Sequence, residues 1–227
     1  MKLTRSPLRY LAAAALVATS LPALAFEPFT ANYQASYMGM QANGVMSVAP
    51  AGNNQWRYSL QIKNPMAELS QATVFDEQGG KLRPLSSHDR SVVLIKRKQV
   101  EARYDWNSGQ ATWSGDVKPD RSGPIRLQSG DMDALLINLA IARDVAAGKP
   151  LTYRMVDDGR IKPMTYRVIG KENLTIGGKQ QEATKVSRVD GNKEQIAWIV
   201  PGMPVPARLL QRENGQDALD LTIRSIN

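Results

Sequence analysis

The only histidine of the sequence, His88, stands in the run Leu85-Ser86-Ser87-His88-Asp89-Arg90, where a hydroxyl, an imidazole and a carboxylate follow one another. A serine nucleophile needs a histidine and an acid converging on it, whereas neighbours on an extended strand point to opposite faces. No Gly-x-Ser-x-Gly turn is present to expose a serine between a strand and a helix. The run therefore reads as a polar strand or turn. A single imidazole also rules out a multi-histidine metal site.

Carboxylates are paired at Asp131/Asp133, Asp157/Asp158 and Asp116/Asp120. General acid and base work needs two carboxyls facing one substrate from environments that separate their pKa values. Helix capping and turn chemistry account for all three pairs, and neither Asp-Met-Asp-Ala-Leu-Leu nor Asp-Val-Lys-Pro-Asp carries the regular oxygen ligands of a calcium loop. The Gly177-Gly178-Lys179-Gln180 stretch lacks the earlier glycine and the Ser or Thr of a phosphate loop, and reads as a turn. Nothing here calls for a catalytic residue, a metal or a cofactor.

Two features bear on binding instead. Lys96, Arg97 and Lys98 form a compact basic cluster that suits lipid phosphates or acidic glycans, although charges guarding a strand edge explain it as well. Trp56, Trp106, Trp113 and Trp198, together with Leu136, are the candidate lining of an apolar ligand cavity; packing as plain core is the alternative.

Strands must position these residues. Trp56, Tyr58, Leu60 and Ile62 alternate with Arg57, Ser59, Gln61 and Lys63, the pattern of a half-buried strand, and similar short runs recur to the C-terminus between turn clusters. The run Leu85 to Ile95 reads as one strand, and so does Ile161 to Ile169. Asp158-Gly159 between two runs predicts a tight hairpin, because its mirror-image turn needs residues that tolerate positive φ. The exception is residues 131–147, where Met132, Leu135, Leu136, Leu139 and Ala142 fall on one face of a helix. Ser129 or Asp131 would cap its start, and Gly148 and Pro150 would end it. Asp131, Asp133, Arg143 and Asp144 give it a mixed polar face, unlike a helix that lies in a lipid interface. About a dozen short strands without crossover helices predict a mainly β fold: a curved antiparallel meander forming an open or closed barrel, capped by the one amphipathic helix.

The first 25 residues carry Lys2, Arg5 and Arg9, an apolar run from Leu11 to about Leu21, and a small-x-small ending at Ala23 and Ala25. That is the pattern of a signal peptide, expected to be cleaved after Ala25. Its apolar core falls short of the roughly 20 residues a membrane-spanning helix needs, and no later run reaches that length. A periplasmic domain over residues 26–227 with no transmembrane segment is the expectation. Losing the three basic leader residues lowers the formal charge from +8 to +5. This mild excess is dispersed rather than gathered on one face with aromatic platforms, which argues against a nucleic-acid partner. The absence of cysteine removes disulfides, thiolate catalysis and cysteine-held zinc together.

The order of landmarks resembles a known family. The opening FTANYQASYMGMQANGV, the pair in ARYDWNSGQATW, the helical SGDMDALLINLAIARDVAAGKP with YRMVDDGRIKPMTYRVIGKENLTIGGKQQEATKV after it, and the closing IAWIVPGMPVPARLLQRENGQDALDLTI look like the bacterial exported family catalogued as domain of unknown function 3108. The resemblance covers nearly the whole mature chain and rests on strand and turn patterns. It implies an envelope protein with a curved antiparallel β fold, and it supplies no catalytic residues.

Three functions fit. The first is a non-catalytic periplasmic binding or envelope-maintenance protein that holds an apolar ligand such as a lipid, or contacts another envelope component. A hydrolase acting on an envelope polymer through a carboxylate pair is the second, and a structural scaffold with a filled core is the third.

Overall fold

The computed structural model describes residues 26–37 and 39–227; the expected leader, residues 1–25, lies outside them. A first meander runs through β1 (Phe29–Tyr37), β2 (Met40–Gly52), β3 (Gln55–Lys63), β4 (Ala67–Gln78), β5 (Lys81–Val93), β6 (Lys96–Asp105), β7 (Gln110–Gly115) and the short β8 (Ile125–Arg126). The chain then forms β9 (Asp131–Met132), α1 (Ala134–Ala146), β10 (Thr152–Asp157) and β11 (Arg160–Thr165). A second meander closes it with β12 (Arg167–Ile176), β13 (Lys179–Asp190), β14 (Lys193–Ile199), β15 (Arg208–Glu213) and β16 (Gln216–Ile226).

The two meanders make one sheet because β16 pairs with β1, setting Tyr33 opposite Ile223 and Tyr37 opposite Leu219. The result is a mainly β fold built on a 13-stranded antiparallel sheet, open rather than closed, with β12 and β8 at its edges. Alternation does the sorting: β3 buries Tyr58, Leu60 and Ile62 and exposes Arg57, Gln61 and Lys63. The segment between the meanders supplies what covers the apolar face. There α1 packs against β3, β4 and β5 on one side and β10 on the other. Strand β10 pairs antiparallel with β11 and parallel with β9 in a second, three-stranded sheet.

The helix is shorter and more enclosed than its spacing predicts. It starts at Ala134, since Asp133 is extended and accepts the Leu136 N–H at 2.8 Å as its cap. Neither Ser129 nor Asp131 fills that role. Asp131 sits in β9, where its carboxylate accepts the Gln128 N–H at 2.7 Å and pairs with Arg154. Beyond the expected apolar stripe, Ile137, Ala140 and Ile141 are buried too, because the helix has the large sheet on one side and the small one on the other.

The Asp158-Gly159 hairpin forms as expected, with Asp157 opposite Arg160 and φ of 48° and 64° at the two turn residues. Two long runs are divided. The chain leaves the small sheet for the large one at Tyr166, whose N–H donates to the Leu151 carbonyl at 2.9 Å, so β11 and β12 belong to different sheets. Strand β5 ends at Val93, and Leu94-Ile95 turn the chain into β6. No described helix is long and apolar enough to cross a membrane.

Candidate functional site

A cavity of about 490 Å³ opens between α1, the β10–β11 hairpin and the strands β14 to β16. Buried apolar side chains line its inside: Leu60, Leu135, Ile141, Met164 and Leu221 are each at most 5% exposed. Its polar lining is largely charged. Lys162 and Arg188 both meet Asp190, at 3.3 and 2.8 Å, while Lys193 meets Glu213 at 3.3 Å and Arg212 meets Glu194 at 3.5 Å. Most of these side chains are a third or more open to solvent, so the pairs hold each other weakly and can exchange partners with a charged ligand group. Apolar walls with a charged rim suit an amphiphile.

Leu69 and Gln71 of β4 separate this cavity from a cleft of about 270 Å³ lined by Asp89, Arg90, Lys98, Asp157 and Asp158. Two of its lining residues, Asp89 of β5 and Asp157 of β10, form a carboxylate cluster with Asp133, the cap of α1. Asp133 accepts the Thr73 hydroxyl at 2.5 Å in addition to the Leu136 N–H. Asp157, at the end of β10, accepts the N–H groups of Ala134 at 3.2 Å and Asp158 at 2.8 Å. Burial pushes the Asp133 carboxyl up to about 7, and the negative charge of Asp157 adds to the effect. Asp157 is raised chiefly by burial as well. Asp89 also reaches about 7, from burial first and then from Asp157, while Gln71 and Lys98 pull it down.

Sequence spacing paired Asp157 with Asp158 and Asp131 with Asp133. The fold instead groups Asp133 with Asp157 and Asp89, a set that local spacing does not reveal. Capping and turn chemistry still explain the first two: the four oxygens of Asp133 and Asp157 each accept a hydrogen bond, three from backbone N–H groups and one from Thr73. Asp116 accepts the Gln99 N–H at 2.8 Å. His88 lies on β5 beside Asp89 in sequence but meets Glu101 of β6, at 3.5 Å, so Ser-His-Asp form no relay. Gly177 and Gly178 form the β12–β13 turn. Among the described residues, no three His, Cys, Asp or Glu side chains converge as metal ligands do.

The four tryptophans and Leu136 are not brought together, and none lines the cavity. Trp56 is half-buried against Phe26, ring centres 6.0 Å apart. Trp106 donates its N–H to the Pro84 carbonyl at 2.6 Å beneath the Arg83 guanidinium. Trp113 packs on Tyr104 in a smaller core cluster with Val100, Leu127 and Val156. Trp198 alternates with Ala197, which does line the cavity. Its own ring is held by Lys185 and Arg208 at 4.8 and 4.7 Å, with its N–H on Glu172 at 2.9 Å. Leu136 is fully buried, and it is Leu135 beside it that reaches the cavity. At Trp198 and Leu136 the cavity thus falls to the adjacent residue, Ala197 or Leu135, while Trp56, Trp106 and Trp113 stand elsewhere in the fold.

Residues 32–222 match the family model described as "Protein of unknown function (DUF3108)". Among curated proteins, none matches the chain.

Proposed function

We propose, for a chain that belongs to the family described as "Protein of unknown function (DUF3108)", a non-catalytic binding role in the periplasm of the cell envelope, with an amphiphile such as a lipid as ligand. The observation that carries this reading is the cavity of about 490 Å³, whose buried leucines, isoleucine and methionine can take an acyl chain while Arg188, Lys162 and Arg212 meet an anionic head group. The hydrolase reading has less support. Asp133 and Asp157 spend all their oxygens on the helix end, the hairpin turn and Thr73, which leaves Asp89 as the carboxyl of the cluster that faces the cleft without such duties. A filled scaffold has no use for a cavity with exposed ion pairs at its rim.

Native mass spectrometry of the protein purified from the periplasm without detergent tests the proposal. Extra mass that organic extraction removes, and that returns on incubation with a lipid extract, is the expected result. A single mass equal to that of the bare chain before and after extraction would sink it.

A further inference from the structure

Leu94 and Ile95 form the two-residue turn between β5 and β6, and they are 64% and 93% exposed. Val93 before them is 38% exposed, and Met66 is 49% exposed and tied to the tip by the Leu94 N–H, which donates to the Met66 carbonyl at 2.9 Å. Lys96, Arg97 and Lys98, all exposed, follow at once. The tip is thus an apolar point with a basic collar.

Nothing in the fold asks for leucine there. Leu94 has φ of +54°, a left-handed conformation that is an outlier for a bulky side chain. Among the described residues the other non-glycine positions with positive φ are Asn53, Asn54, Asp158 and Asn214, the side chains that turns of this kind ordinarily use. At this turn alone, backbone strain and solvent-exposed apolar surface are both retained, which points from structure to function. Guarding an open strand edge explains the cations: β7 pairs with β6 only from Val100 onward, so Lys96 to Lys98 lie beyond its reach. It does not explain Leu94 and Ile95.

We infer that the β5–β6 tip is a membrane-docking element, inserting Leu94 and Ile95 into the interface of an anionic lipid bilayer while Lys96, Arg97 and Lys98 meet the phosphates. Charge complementarity selects the partner: short apolar anchors hold weakly alone, and adjacent basic residues supply the second attraction that makes binding stable on an anionic surface. The inference rests on the tip alone and stands or falls apart from the cavity. Docking there would set the membrane beside Arg90, Ser91 and Lys98, which line the acidic cleft.

The test is flotation of the protein, as recovered from cells, with vesicles of phosphatidylethanolamine and phosphatidylglycerol, and separately with vesicles of phosphatidylcholine. Wild type should float with the anionic vesicles, less so in high salt, and less with phosphatidylcholine. The double variant Leu94→Gly/Ile95→Ser, an ordinary turn sequence, should melt at or above the wild-type temperature and yet lose on the order of ten-fold in vesicle partition. Because the chain has no cysteine, Ile95→Cys takes an environment-sensitive fluorophore at that position alone, and its emission should shift to the blue on anionic vesicles. An unshifted emission, or partition of the double variant equal to wild type, overturns the inference.

Discussion

Asp133 and Asp157 hold one helix end between them: Asp133 accepts the Leu136 N–H at 2.8 Å, and Asp157 accepts the Ala134 N–H at 3.2 Å. Negative charge there suits the helix dipole, but two buried carboxylates, with Asp89 and the phenols of Tyr58 and Tyr104 around them, oppose each other's ionisation.

The three raised carboxyls make stability fall as pH rises. The folded state keeps protons that the unfolded chain releases, so the stabilisation is whole below about pH 4 and is lost as pH climbs through about 7. Exposed Asp105, Glu172 and Asp190, whose pKa values are lowered, titrate below that window and do not offset it. Thermal melts should give a higher midpoint at about pH 5 than at about pH 8, by roughly 2–4 °C for each kcal/mol. Asp133→Asn keeps a capping oxygen without the charge, and should flatten the slope and raise the midpoint at the higher pH. A wild-type midpoint that rises with pH contradicts this.

Gly159→Val should destabilise by more than the roughly 1–3 kcal/mol of backbone strain alone. A Cβ at Gly159 would lie 2.0 Å from the Arg121 carbonyl oxygen, whereas one at Gly178, also at positive φ, would meet nothing within 4 Å. Denaturant melts of Gly159→Val and Gly178→Val separate the clash from the strain. Equal losses would mean that the loop carrying Arg121 yields freely.

Leu136→Ala should cost roughly 2–5 kcal/mol, because the fully buried side chain leaves a space that a helix flanked by two sheets cannot collapse to fill. Leu136→Asp should be worse, since it buries a carboxylate without a partner. Chemical unfolding followed by tryptophan emission measures both, and a loss well under about 1 kcal/mol for the alanine variant would refute the close packing of Leu136.

Ligand in the cavity should slow amide exchange along Ala134–Ala146, since Leu135 and Ile141 line it and a ligand held by the packed helix disfavours its local opening. Exchange that is slow and indifferent to every lipid extract would favour the scaffold.

Much of the fold is legible in local pattern. Tyr58, Leu60 and Ile62 sort to one face by alternation, Asp158-Gly159 turns because its residues tolerate positive φ, and the helix declares itself by its spacing. The site is legible only in part, for reasons that are physical. Ile137 and Ile141 lie off the apolar stripe that spacing marks and are buried because α1 packs between two sheets, and the Asp133–Asp157 pair exists only once β10 reaches the helix end. The Leu94-Ile95 turn hides for the opposite reason: Val-Val-Leu-Ile has the composition of a strand interior, so the chain reverses where local preference says it should run on.

The unjoined edges β12 and β8 decide how this sheet can deform. A sealed barrel has a girth set by its strand number and stagger, and widening it means breaking ladder hydrogen bonds. Here every inter-strand ladder can stay intact while the sheet flexes like a clasp. Its curvature can therefore change with the ladder hydrogen bonds kept.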